Sequence, residues 1–71
     1  MSTLEIRLNG KPFEVSATDT VADLVRALGL PGDGRGVAVA LAGAVLPQAA
    51  WDAQQLAADA HVEILIASQG G

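Results

Sequence analysis

Four runs of this chain alternate apolar and polar residues with a period of two, and a single stretch keeps the period of a helix. Leu4, Ile6 and Leu8 alternate with Glu5 and Arg7. Phe13 and Val15 alternate with Pro12, Glu14 and Ser16, and Asn9-Gly10 between the two runs is a strong short hairpin signal. Pro12 cannot donate to a ladder, which suits the start of a strand or a sheet edge. Val37, Val39 and Leu41 alternate with alanines, and Val62, Ile64 and Ile66 form the last run. Val21, Leu24, Val25 and Leu28 instead fall at i, i+3, i+4 and i+7, a helical stripe. Thr20 and Asp23 stand three apart at its start, close to a capping box, and Gly29 marks its stop, with Leu30 free to fold back on the last turn.

Seventy-one residues without a cysteine make one domain that must fold on an apolar core, since no disulfide or cysteine-rich zinc site can staple it. Pro31-Gly32-Asp33-Gly34 is expected to be a loop and Gly43 a turn, followed by a short extension over Ala44-Val45-Leu46. A short helical turn is expected around Pro47–Trp51 and a short strand near Leu56. The order is then strand, strand, helix, strand, short strand, strand. One sheet with one helix across one face is a two-layer α+β domain. A hairpin, a crossing helix and a return strand follow the order of the ubiquitin-like β-grasp, with a mixed sheet of four to five strands. In that arrangement the last strand lies inside the sheet. Residues 1–67 are expected to form this domain and residues 68–71 a flexible tail beyond it.

Leu4, Ile6, Leu8, Phe13, Val15, Val37, Val39, Leu41, Val62, Ile64 and Ile66 should face the helix. The other face should be solvated, but Ala38, Ala40, Leu65 and Ala67 are small or apolar there, on the two strands nearest the tail. A contiguous exposed apolar patch marks a partner surface. The alternative is that alanine is abundant throughout the chain and that single exposed apolar residues are ordinary.

The chain closes on Gly70-Gly71. Two residues without side chains can thread a narrow channel and present a terminal carboxylate to another protein's active site. The chemistry expected of such an end is activation of the carboxylate by an ATP-using enzyme and replacement of the activating group. The alternative is a floppy terminus of no consequence.

Within the chain no constellation points to catalysis. His61 is the sole histidine, and no residue stands at ligand spacing with it. Asp33-Gly34-Arg35-Gly36 lacks the lysine and hydroxyl spacing of a phosphate loop. Trp51 reads as a lid on the core. No enzymatic activity, metal or bound cofactor is expected. Arg7, Lys11, Arg26 and Arg35 are scattered and the net charge is −4, so nucleic acid is not an expected partner. The beginning of the chain has no apolar signal run and no stretch is long enough to cross a membrane, so the expected compartment is the cytoplasm.

Val37-Ala38-Val39-Ala40-Leu41, then Val45-Leu46-Pro47 with Trp51, then Val62-Glu63-Ile64 and the tail Gln69-Gly70-Gly71 resemble the ThiS family, the sulfur carriers of thiamine biosynthesis. Leu8-Asn9-Gly10-Lys11 and Thr20-Val21-Ala22-Asp23-Leu24 match it more loosely, so the likeness spans essentially the whole chain. The resemblance implies that an E1-like adenylyltransferase of the ThiF type spends ATP to activate the carboxylate of Gly71. A sulfur donor protein then supplies the sulfur of a thiocarboxylate. A thiazole synthase of the ThiG type receives it. Ser68, Gln69 and Gly70 would be the tail that reaches the partner, and Ala38, Ala40, Leu65 and Ala67 the surface that docks it.

The chain departs from the family pattern in two turns. Ala58-Asp59-Ala60 stands where Asp-Gly-Asp is usual, and Ala42-Gly43 stands in place of Asn-Gly. Asp at the central position tolerates a positive φ better than most residues. The molybdopterin sulfur carrier, a carrier for another sulfur pathway, a lysine-conjugated modifier and a plain β-grasp adaptor share the fold, and fold alone does not separate them.

Overall fold

The computed structural model describes residues 2–31 and 35–67. The chain runs β1 (Thr3–Leu8), β2 (Lys11–Ser16), α1 (Val21–Ala27), β3 (Val37–Leu41), β4 (Ala44–Leu46), a 3-10 turn (Gln48–Ala50) and β5 (His61–Ile66). The strands form one sheet in the order β2-β1-β5-β3-β4. β1 and β5 are parallel and the other neighbours antiparallel, so the sheet is mixed. The last strand in sequence is the middle strand in space, and β2, with Pro12, is an edge, as the sequence predicts.

The turns set the registers. Asn9 (φ 51°) and Gly10 (φ 82°) both take positive φ, the twist a two-residue hairpin needs, and they place Leu8 opposite Lys11. Ala42 (φ 51°) and Gly43 (φ 84°) repeat the same geometry and place Leu41 opposite Ala44. The expected extension after Gly43 is therefore a paired strand, β4. The expected short strand near Leu56 reduces to one antiparallel bridge between Gln55 and Thr20. Its backbone groups are spent on the helix instead. The carbonyls of Gln54 and Trp51 accept from Val21 and Ala22 N–H at 2.9 and 3.2 Å, two donors at the start of α1 that the helix itself cannot satisfy.

α1 starts where the sequence places it. Thr20 Oγ1 accepts from Asp23 N–H at 3.3 Å and Asp23 Oδ2 accepts from Thr20 N–H at 2.9 Å, a reciprocal box. It ends in a Schellman arrangement: Gly29 N–H donates to Arg26 O and Leu30 N–H to Val25 O, with Gly29 at φ 75°. Ile6, Val21, Leu24, Val25, Val39 and Val62 are fully buried between helix and sheet. Trp51 closes the core beside Leu56, and its buried indole N–H donates to Leu46 O at 3.1 Å, in keeping with the lid expected of it. Phe13, Leu8 and Leu41 are only half-buried at its margins.

One expected core residue is not in the core. Ile66 shares the helix side with Val62 and Ile64, yet it is 61% exposed. The cause is length. The seven-residue helix covers about 10 Å, whereas the six residues of β5 run about 20 Å. The helix roofs the middle of the strand and leaves its C-terminal end open.

Candidate functional site

β5 is gripped from both sides. On one side Arg7 N–H donates to Ala60 O and Asn9 N–H to Val62 O. Regular pairing with β1 ends at Leu8 opposite Val62. Asn9 then substitutes for the missing strand: its Oδ1 accepts from Ile64 N–H at 2.9 Å, and its Nδ2 donates to Ile64 O at 3.3 Å. The turn that bends β1 into β2 thus also holds the central strand two residues further toward its end. On the other side β3 pairs with β5 from Val62 to Ile66. The last bond is Ala67 N–H to Gly36 O at 2.7 Å, so the backbone is fixed up to residue 67.

The open face of the sheet gathers the apolar residues that the sequence singles out. Ala38 stands opposite Leu65 across the β3–β5 pair, with Ala40 opposite Glu63 one step away. Leu65 is 70% exposed. Ala67, also exposed, does not reach the cleft between these side chains. It adjoins Ala38 and Leu65 at the end of the strand instead.

Sequence reasoning missed Val45. It is the most exposed large apolar side chain described, at 78%, and the β3–β4 register sets it directly opposite Ala40. Val45, Ala38, Ala40 and Leu65 line a shallow cleft of about 130 Å³, together with Asn9 and Glu63. A signal for Val45 existed. A tight two-residue turn at Ala42-Gly43 forces that register, just as Asn9-Gly10 forces the first hairpin.

Polar groups play a lesser part. Glu63 is the acidic residue lining the cleft, and His61 lies exposed at the start of β5. Among the described residues no group of three metal-ligating side chains comes together, and no helix is long and apolar enough to cross a membrane. Ser68, Gln69, Gly70 and Gly71, and the expected loop at 32–34, lie outside the described residues.

A mixed sheet with its last strand central and one helix across one face defines a ubiquitin-like β-grasp domain. The chain belongs to the ThiS family, whose model matches residues 6–71. That family is one of small sulfur carriers of thiamine biosynthesis, not of catalysts. A crystal structure of the thiamine biosynthesis protein ThiS from Geobacter metallireducens is similar at 33% identity with a TM-score of 0.78, over 96% of this chain and all of that one. An NMR structure of a thiamine biosynthesis protein from the same organism is similar at 33% identity with a TM-score of 0.77, over 96% of this chain and 88% of that one. No curated protein matches the chain significantly.

Proposed function

We propose that the protein carries sulfur for thiazole formation as a thiocarboxylate on Gly71. A carboxylate oxygen of Gly71 attacks the α-phosphorus of ATP in an E1-like adenylyltransferase of the ThiF type, and pyrophosphate leaves. Hydrosulfide, provided in the cell by a sulfur donor protein, attacks the carbonyl carbon of the acyl-adenylate, and AMP leaves. The product is a carbon bearing one oxygen and one sulfur, which a ThiG-type thiazole synthase consumes. ATP belongs to the activating enzyme and the carrier binds no cofactor of its own. The setting is the cytoplasm.

The observation that carries this proposal is the anchoring of β5. The central strand is hydrogen-bonded on both sides, through Asn9 on one and β3 on the other, and fixed to Ala67. Four residues separate that anchor from the Gly71 carboxyl carbon. A partner that docks the body through Ala38, Ala40, Val45 and Leu65, with Ala67 at the edge, brings the reacting carbon within a small volume. That converts an encounter in solution into a nearly intramolecular step.

The test is intact mass after incubation with ATP, hydrosulfide and the E1-like enzyme of the same organism. The expected result is exchange of one oxygen for sulfur, confined to the C-terminal peptide, and its absence when Gly71 is deleted. Deletion should leave the unfolding transition unchanged, since the core ends at Ile64. A truncated chain that still supports thiamine synthesis would overturn the proposal.

A further inference from the structure

The two residues that end β5 are both apolar and both exposed, Leu65 at 70% and Ile66 at 61%. Successive residues of a strand point to opposite faces. Leu65 joins the open-face patch. Ile66 lies on the helix side, beyond the reach of α1, in a shallow cleft of about 500 Å³ lined by Pro31, Arg35, Gly36, Ile66 and Ala67. Exposed apolar residues are ordinary when single, but here two large ones are adjacent on opposite faces of one strand end, and the same strand carries Glu63 and His61 where its open face meets water.

The carboxylate proposed above as the reacting group lies a short way beyond these two side chains. Four residues follow Ala67, and fully extended they span at most about 14 Å. An enzyme that takes the Gly71 carboxylate into a pocket must therefore close around the end of β5 at that short range. A channel narrow enough for two glycines that closes at this range would have one wall against Leu65 and the opposite wall against Ile66.

We propose that the E1-like enzyme that activates the tail contacts Ile66 on the helix side as well as the open face, so that it clasps the end of β5 between two walls. This inference rests on the activation of Gly71 proposed above. Ile66 is a positioning residue: it touches no reacting atom and acts by setting where the strand end sits.

The experiment compares the full chain with Ile66→Asp, Ile66→Ala and Ile66→Leu in steady-state loading by the E1-like enzyme with ATP and hydrosulfide. Burial of an isoleucine side chain predicts that Ile66→Asp raises KM for the carrier at least about tenfold. Ile66→Ala should raise it severalfold and Ile66→Leu should restore it, with kcat at saturating carrier unchanged throughout. Melting curves of the variants should overlay that of the wild type, because the side chain adds little to the core. Should Ile66→Asp fail to fold, the Ile66→Ala and Ile66→Leu pair decides alone. Wild-type loading with KM unchanged in Ile66→Asp or Ile66→Ala would overturn the two-walled clasp and leave the carrier function standing. No loading of the wild type by a competent enzyme would overturn the carrier function itself, and the clasp with it.

Discussion

At the scale of single residues, the positive-φ positions carry most of what is particular to this chain. Asn9, Ala42 and Asp59 all adopt it, at φ 51°, 51° and 63°. Asn and Asp tolerate the left-handed region because their short polar side chains hydrogen-bond locally, whereas the Cβ of alanine finds no such compensation. Asp59 is held there by its N–H bond to Glu5 O at 2.7 Å, so the turn survives without glycine. Ala42 stores strain, because its position in the two-residue turn is one that Asn-Gly fills best. Ala42→Asn should stabilise the protein by about 0.5–1 kcal/mol. The check is the urea midpoint, which should rise at constant m-value; a fall would mean that Ala42 makes a contact worth more than the strain.

At the scale of elements, α1 depends on its cap more than a longer helix would. Seven residues are too few to be stable alone, so the ends matter. Thr20 and Asp23 satisfy each other's backbone N–H, and Asp23 Oδ1 also pairs with Arg26 Nη2 at 2.7 Å on the exposed surface. The backbone hydrogen bond from Thr20, followed by the bond from Arg26, holds the Asp23 carboxyl below its ordinary value of 3.8. A carboxyl depressed in the folded state contributes stability above its unfolded pKa and loses that contribution as pH falls through the folded one. Unfolding free energy should therefore drop on acidification below the ordinary carboxylate range, and Asp23→Asn should flatten that part of the profile. Thr20→Ala should cost about 1 kcal/mol at neutral pH. Identical acid slopes in wild type and Asp23→Asn would remove Asp23 from the account.

The same scale shows where sequence patterns sufficed. The first hairpin and the helix with both of its ends are legible because local chemistry dictates them: Asn-Gly, a Thr–Asp box, a Gly stop. The strand expected near Leu56 was not legible as what it is. Gln54 and Trp51 cap a helix that starts thirty residues earlier in the chain, and no local pattern announces a carbonyl committed to a remote N–H.

At the scale of the whole molecule, the core and the proposed open-face docking patch lie on opposite faces of the sheet, so a substitution in one can be told from a substitution in the other. Leu24 is 1% exposed and sits among Ile6, Val21, Val25, Val39 and Val62. Leu24→Ala should cost about 2–5 kcal/mol. That is a large fraction of what a domain this small possesses, and each kcal/mol lowers its Tm by about 4–8 °C. Leu65→Asp should do the reverse: Tm stays within a few degrees, while affinity for the activating enzyme falls about tenfold or more. Calorimetry on both variants alongside a binding titration checks the contrast. An unchanged affinity for Leu65→Asp would move the docking surface elsewhere.

Local patterns along the chain are enough for the strand and helix periods, the two-layer class, the central position of the last strand and the small apolar side chains beside the tail. Each of these follows from interactions between near neighbours or from the order of elements along the chain. Val45 against Ala40 belongs with them, because the Ala42-Gly43 turn forces the β3–β4 register. Two things came only from tertiary structure. It turned Asn9 from a turn residue into a clamp on Ile64, fifty-five positions away. It left Ile66 outside the core, because the helix is shorter than the strand it covers. Both depend on how far one element reaches past another, which periodicity does not encode.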